Sequence, residues 1–146
     1  MMENEKLVGV SNIEKWLGEN TYDYNKFSDL DFIESELNKK KLKVSVIIPT
    51  LEEEGTIEYI LNIVIDKLYK KNKIIHEIIV VDGGSRDKTI EICSKYKDYI
   101  KIFSQKDIHE EVNNGGKGEA LWKSLFVCDG DIVVYIDSDI KDFTER

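Results

Sequence analysis

Val44-Ser45-Val46-Ile47-Ile48-Pro49-Thr50-Leu51-Glu52-Glu53-Glu54 is the stretch that decides the fold class. Its first five residues are almost continuously β-branched and apolar, and Pro49, which lacks an N–H, fixes the end of the run. That pattern reads as a strand buried on both faces, the signature of a parallel sheet. Downstream, Ile57, Ile60, Leu61, Val64 and Leu68 recur at helical spacing, and Lys67, Lys70 and Lys71 gather where a helix C-terminus favours cations. The cycle then repeats. Ile78-Ile79-Val80-Val81 reads as a strand and Asp82-Gly83-Gly84-Ser85 as a turn. A helix is expected from about Arg86, with Ser85 as its N-cap and Ile90, Cys93 and Tyr96 facing inward. Ile100–Phe103 is a weaker, alternating third strand. A polar loop rich in Asn and Gly leads to a helix from about Gly118 to Val127, and Ile132–Ile136 is a fourth strand. Strands alternating with helices predict right-handed βαβ units, hence an α/β fold with a Rossmann-like parallel sheet and helices on both faces.

The regular pattern begins after Lys39-Lys40-Lys41. Before it the chain is polar and helix-leaning: Ser28 with Asp31 resembles a capping box, Leu30, Ile33 and Leu37 share a helical face, and Trp16 and Leu17 form a short apolar patch. Residues 1–42 therefore read as a helical appendage and 43–146 as the main domain. A chain of 146 residues has room for one core. With 29 acids against 21 bases it carries a formal charge of −8, which argues against nucleic acid and anionic lipid and favours a small-molecule partner. No apolar run approaches the ~20 residues of a membrane span. The opening Met1-Met2-Glu3-Asn4-Glu5-Lys6 lacks the basic and apolar regions of a leader, which makes a cytoplasmic location the default. Cys93 and Cys128 sit in apolar segments without metal or redox spacing and read as buried thiols.

In open α/β sheets ligands bind beyond the carboxyl ends of the strands, and three of those ends carry polar clusters: Glu52-Glu53-Glu54, Asp82-Gly83-Gly84-Ser85 and Asp137-Ser138-Asp139. The first excludes a dinucleotide-type phosphate turn, which needs glycines where this chain has three acids. One of those carboxylates could accept hydrogen bonds from ribose hydroxyls, and the plain alternative is a solvated first helical turn. A Walker site is excluded because Gly116-Lys117 is followed by Gly118 and no glycine stands five residues earlier. Asp137-Ser138-Asp139 at a strand end suits a hard cation, Mg²⁺ or Mn²⁺, which takes one or two carboxylates and completes its shell with water and substrate phosphates. Gly115-Gly116-Lys117-Gly118 adds a pliable loop with one cation for a phosphate, or a simple hinge before a helix. His76 and His109 read as structural or solvated.

Taken together, the segments Val44–Glu54, Ile79–Thr89 and Asp137–Asp139 resemble the nucleotide-binding half of a GT-A fold, family 2-like glycosyltransferase, over residues 43 to 142. Within that group Gly116–Trp122 and Gly130–Asp139 are similar to the glucosyl-3-phosphoglycerate synthases. The resemblance implies a UDP-sugar donor, UDP-glucose, a divalent metal, and a small phosphorylated acceptor such as 3-phosphoglycerate. It places Pro49, Thr50, Leu51 and Glu53 around the nucleoside, with Glu53 on the ribose and Asp82 and Gly83 by the uracil. Lys117 contacts the nucleotide, Asp137 and Ser138 belong to the donor site, and Asp139, with Asp137, is assigned to the metal. Gly83 departs from the serine the resemblance implies, and Glu52 stands where the wider family has Asn or Asp. The family pattern continues past Arg146 with an acceptor half and a histidine that completes the metal shell, so this chain is expected to bind nucleotide without transferring sugar. Two other readings stay open: a lipid-linked or polysaccharide acceptor, and a non-catalytic nucleotide-binding or assembly module in which an exposed sheet edge drives homo-oligomerisation.

Overall fold

The computed structural model describes residues 12–109 and 115–144. The opening segment and most of the expected Asn- and Gly-rich loop lie outside the described residues. The chain divides into two compact units with the boundary between Asp29 and Leu30. In the first, the chain is helical over 12–20 (α1) and makes one 3₁₀ turn, Tyr24–Phe27, in which the Asn25 N–H is capped by the Asp23 carboxylate at 2.9 Å.

The second unit holds the sheet. Its elements are α2 (Leu30–Lys40), β1 (Val44–Thr50), α3 (Ile57–Ile63), β2 (Glu77–Asp82), α4 (Thr89–Ser94), β3 (Ile100–Ser104), α5 (Gln105–Ile108), α6 (Lys117–Ser124) and β4 (Ile132–Tyr135). The four strands are all parallel, in the order β3-β2-β1-β4. Every residue of β1 and β2 is buried, as their unbroken apolar runs require, whereas β3 and β4 are partly exposed edges. Side chains alternate between faces with period two. Val46, Ile48, Ile78 and Val80 pack on one face against Ile57, Ile60, Leu61, Val64 and Cys93; Ile47, Ile79 and Val81 pack on the other against Ala120. Each fully buried Ile or Val contributes about 1.5–3 kcal/mol of transfer free energy, so these two layers are the main source of stability.

Three local readings differ from the sequence expectation. α4 begins at Thr89, not near Arg86, and Lys88 rather than Ser85 precedes it. α6 starts at Lys117 and ends at Ser124. After α3 the helix widens into π-helical turns over Val64–Lys71, which bring Val64 and Ile65 together into the core with Leu68 and Tyr69 against it.

The N-terminal ends of the strands are tied by one carboxylate. Glu77, 6% exposed, accepts from Ser45 Oγ at 2.5 Å and the Asp129 N–H at 2.6 Å on one oxygen, and from Lys101 Nζ at 2.6 Å on the other. It thereby links β1, β2, β3 and the segment entering β4. Burial alone pushes this carboxyl up, but the bonds from Asp129, Lys101 and Ser45 outweigh it and hold Glu77 below the usual carboxylate range. Gly130 presses against the same point: a Cβ there would stand 2.4 Å from Ser45 Oγ and 2.6 Å from Ser45 N.

Two measurements check this arrangement. Gly130→Ala should lower the urea midpoint by the equivalent of about 1–3 kcal/mol, the usual cost of overpacking, and an unchanged midpoint would contradict the close approach. Because the folded-state pKa of Glu77 is depressed, its stabilisation is present above the unfolded value of about 4.3 and is lost as pH falls through the folded value. The wild-type advantage over Glu77→Gln in chemical unfolding should therefore be largest near neutrality and shrink below about pH 4; a pH-independent gap would refute it.

Candidate functional site

The strand order places the topological switch between β1 and β4, since the chain winds from β1 through β2 to β3 and then returns to the other side of β1. The crevice beyond the carboxyl ends of those two strands is where such sheets bind ligands.

Two loops are pinned together there. Glu52 adopts a left-handed φ of 59°, an uncommon conformation for a residue with a side chain, which turns the chain sharply after Leu51. The N–H groups of Glu52, Glu53 and Glu54 are then satisfied by Ser85 Oγ (2.9 Å), Thr89 Oγ1 (2.7 Å) and Asp87 Oδ2 (3.1 Å). Glu54 returns the contact by accepting from the Lys88 N–H at 3.0 Å. This is why Ser85 does not cap a helix: its hydroxyl serves Glu52, and its N–H and hydroxyl also bond Asp82. The three glutamates do not form a helical turn, which starts only at Ile57.

The β4 end is fastened to the same loops. Ser138 is buried and donates its hydroxyl to the Pro49 carbonyl at 2.7 Å. Thr56 Oγ1 lies 2.6 Å from the Ser138 carbonyl, to which it donates its one proton, and 3.2 Å from Glu53 Oε2, so the start of α3 is fastened to the segment after β4 beside the Glu53 carboxylate. Lys117 Nζ and Asp137 Oδ1 form an ion pair at 2.5 Å that bridges the start of α6 to the end of β4.

Between these loops lies a cavity of about 160 Å³. Of the residues assigned from sequence, Pro49, Thr50, Leu51, Glu53, Gly83, Lys117, Ser138 and Asp139 line it. Asp82 does not. Its carboxylate accepts from the Gly84 and Ser85 N–H groups at 3.0–3.2 Å and from Ser85 Oγ at 2.6 Å, and so shapes its own turn at the edge of the cavity. Asp137 is likewise outside the lining, engaged with Lys117. Gly83 donates its N–H to the Thr50 carbonyl at 2.8 Å, and a Cβ there would meet that oxygen only at 3.4 Å, so the serine expected at this position would fit. Gly84, at φ 106°, is the residue of the turn that needs to be glycine.

Gln105 and Ala120, not assigned from sequence, complete the lining with Gly116 of the expected pliable loop. Gln105 follows β3, the strand end that carries no acid to draw attention, although the strand-end rule applies to it equally. A second hollow of about 290 Å³, lined by Gly83, Gln105, Lys106, Gly115 and Glu119, adjoins the first. His76 sits at the opposite end of the sheet, 3.5 Å from Asp129, and His109 packs on the Trp122 and Phe126 rings; neither lines the cavity. Burial, and secondarily the charge of Asp82, push the Cys93 thiol up to about 11, which makes it inert. Cys128 is half-buried.

Thr50 lines the cavity, and its Oγ1 is buried with no hydrogen-bond partner among the described residues. A buried hydroxyl without a bond is costly. Charge is unbalanced in the same place. Glu53 and Asp139 face the cavity, and Lys117 is the one base among the described lining residues. Among the described residues no group of three or more His, Cys, Asp or Glu converges on a metal position.

The family model for glycosyl transferase family 2 matches residues 45–144. The chain belongs to glycosyl transferase family 2. It is 38% identical over 122 residues to the glucosyl-3-phosphoglycerate synthase of Petrotoga mobilis, a match that covers 83% of this chain and 37% of that protein. Among solved structures, the mannosyl-3-phosphoglycerate synthase of Rubrobacter xylanophilus superposes with a TM-score of 0.78 at 30% identity, over 88% of this chain and 41% of that one. The Mycobacterium tuberculosis glucosyl-3-phosphoglycerate synthase, solved with Mn²⁺, UDP and phosphoglyceric acid, superposes with a TM-score of 0.62 at 35% identity, over 75% of this chain and 36% of that one. The chain thus spans roughly a third of the length of the curated relatives it matches. These neighbours share the mixed α/β architecture with a parallel sheet. No helix among the described residues is long and apolar enough to cross a membrane.

If Thr50 Oγ1 is unpartnered until a ligand arrives, Thr50→Val should leave the thermal stability of the free chain unchanged or raise it by up to about 1 kcal/mol. A loss larger than that in a melting experiment would mean that the hydroxyl has a structural partner.

Proposed function

We propose that this chain forms the donor half of a metal-dependent glycosyltransferase that binds a UDP-sugar, UDP-glucose, for transfer to a small phosphorylated acceptor such as 3-phosphoglycerate. The observation that carries the reading is the cavity at the β1/β4 switch, where Thr50, the Glu53 and Asp139 carboxylates and the Lys117 ammonium line one space. Thr50 and Glu53 bind the nucleoside, Glu53 as acceptor for ribose hydroxyls, with Pro49, Leu51 and Gly83 forming the apolar and backbone walls around the base. Asp82 acts by holding the Gly83 turn. Lys117, at the start of α6, meets the nucleotide, and its pairing with Asp137 aims the ammonium along the β4 end.

A diphosphate brought beside Glu53, Asp137 and Asp139 would meet more negative than positive charge. The Asp139 carboxylate lines the cavity and, with Asp137 once freed from Lys117, would supply oxygen ligands of the kind that a hard divalent cation, Mg²⁺ or Mn²⁺, takes beside water and substrate phosphate. When bound, that ion neutralises charge on the departing UDP. The relatives' names support the acceptor class, and the Mn²⁺ and UDP of the M. tuberculosis complex support the donor and the metal.

Calorimetric titration tests the proposal. UDP should bind, tighten with Mn²⁺, and outcompete GDP and ADP, and Asp139→Ala should remove the metal dependence while the chain stays folded. Equal binding of all three nucleotides, or a full Mn²⁺ effect in Asp139→Ala, would overturn it.

A further inference from the structure

Lys123 has the largest fully buried side chain among the described residues. It lies on α6 one turn after Glu119, and its Nζ sits 2.9 Å from Glu119 Oε1 and donates to the Gln105 carbonyl at 3.0 Å. Glu119, itself only 7% exposed, accepts the Gly115 N–H on its other oxygen at 2.9 Å. Bonds from Lys123, and next from Gln105, hold its carboxyl below the usual carboxylate range. Taking both charges out of water costs several kcal/mol per ion, and apolar residues of similar volume are generally as stable, so stability alone is a weak reason for this pair. The groups it holds have a common location. Gln105 and Gly116 are walls of the nucleotide cavity, and Gly115, Gln105 and Glu119 line the adjoining hollow.

We propose that Lys123 is a positioning residue for the nucleotide site: through Glu119 and the Gln105 carbonyl it fixes the end of β3 against the Gly115-Gly116-Lys117 approach to α6. The inference rests on the donor-site reading above. Gly115 and Gly116, at φ 78° and 98°, have no side chain to lock them, so the Glu119 carboxylate supplies the restraint from inside. The pair thereby sets where Lys117 emerges.

The test compares the wild-type chain with the double variant Glu119→Leu/Lys123→Met, which replaces the pair by apolar residues, and with Lys123→Arg, which keeps the charge. Amide hydrogen exchange of the ligand-free chain reads the positioning directly, and UDP titration reads its consequence. The double variant should keep its melting temperature, exchange faster over 115–118, and bind UDP about tenfold more weakly, the scale on which orienting partners act. Lys123→Arg should keep the wild-type pattern. A folded double variant with unchanged exchange over 115–118 overturns the inference, and so does one that fails to fold, since that assigns the pair to stability. A wild-type chain that does not bind UDP contradicts the donor-site reading alone, because the exchange comparison still decides the role of Lys123.

Discussion

Three consecutive backbone N–H groups, those of Glu52, Glu53 and Glu54, would be left without partners by the sharp turn after β1, and the side chains of Ser85, Thr89 and Asp87 satisfy all three. The site depends on this constraint. It sets the approach of the loop after β1 to the loop after β2, delays α4 until Thr89, and leaves Thr50 and Gly83 facing a common space. The β4 end then joins through Ser138 on Pro49 and Thr56 on Ser138. Rigid loops on a rigid sheet are what a binding site needs if its polar groups are to be in place before the ligand arrives.

The two ends of the sheet divide the work. At the N-terminal end the Glu77 carboxylate has its oxygens filled by Ser45, Asp129 and Lys101, and Gly130 packs without space to spare. At the carboxyl end the balance is reversed, with a buried hydroxyl left over and acids outnumbering bases. Satisfied polar groups hold a structure together, and unsatisfied ones mark where a ligand completes it.

The sequence made β1 and β2 plain, because a strand buried on both faces is a continuous apolar run, although β1 runs through Pro49, the expected stop, to Thr50. The strand-end rule, joined to the family resemblance, brought Thr50, Glu53, Lys117, Ser138 and Asp139 into view. Less was legible where partners are distant in the chain. Ser85 and Asp87 look like the start of a helix until the Glu52–Glu54 amides they serve are brought beside them. Glu77 and Lys123 look like ordinary surface charges, since nothing local distinguishes an exposed glutamate before a strand, or a lysine on a helix, from a buried hub. Asp82, which the resemblance assigns to the base, has its carboxylate occupied by its own turn. The π-helical widening after Ile63 has no sequence signal that periodicity could detect.

We propose the space between Thr50, Gly83 and Asp139 as a uridine-diphosphate site. Its most direct test is a crystal structure of the chain grown with UDP and Mn²⁺, with the metal located by anomalous scattering. A manganese peak on the Asp139 carboxylate and uridine seated against Thr50 and Glu53 are the expected result. Nucleotide found elsewhere, such as in the groove lined by Tyr69 and Lys73, with the strand-end cavity empty, would contradict it.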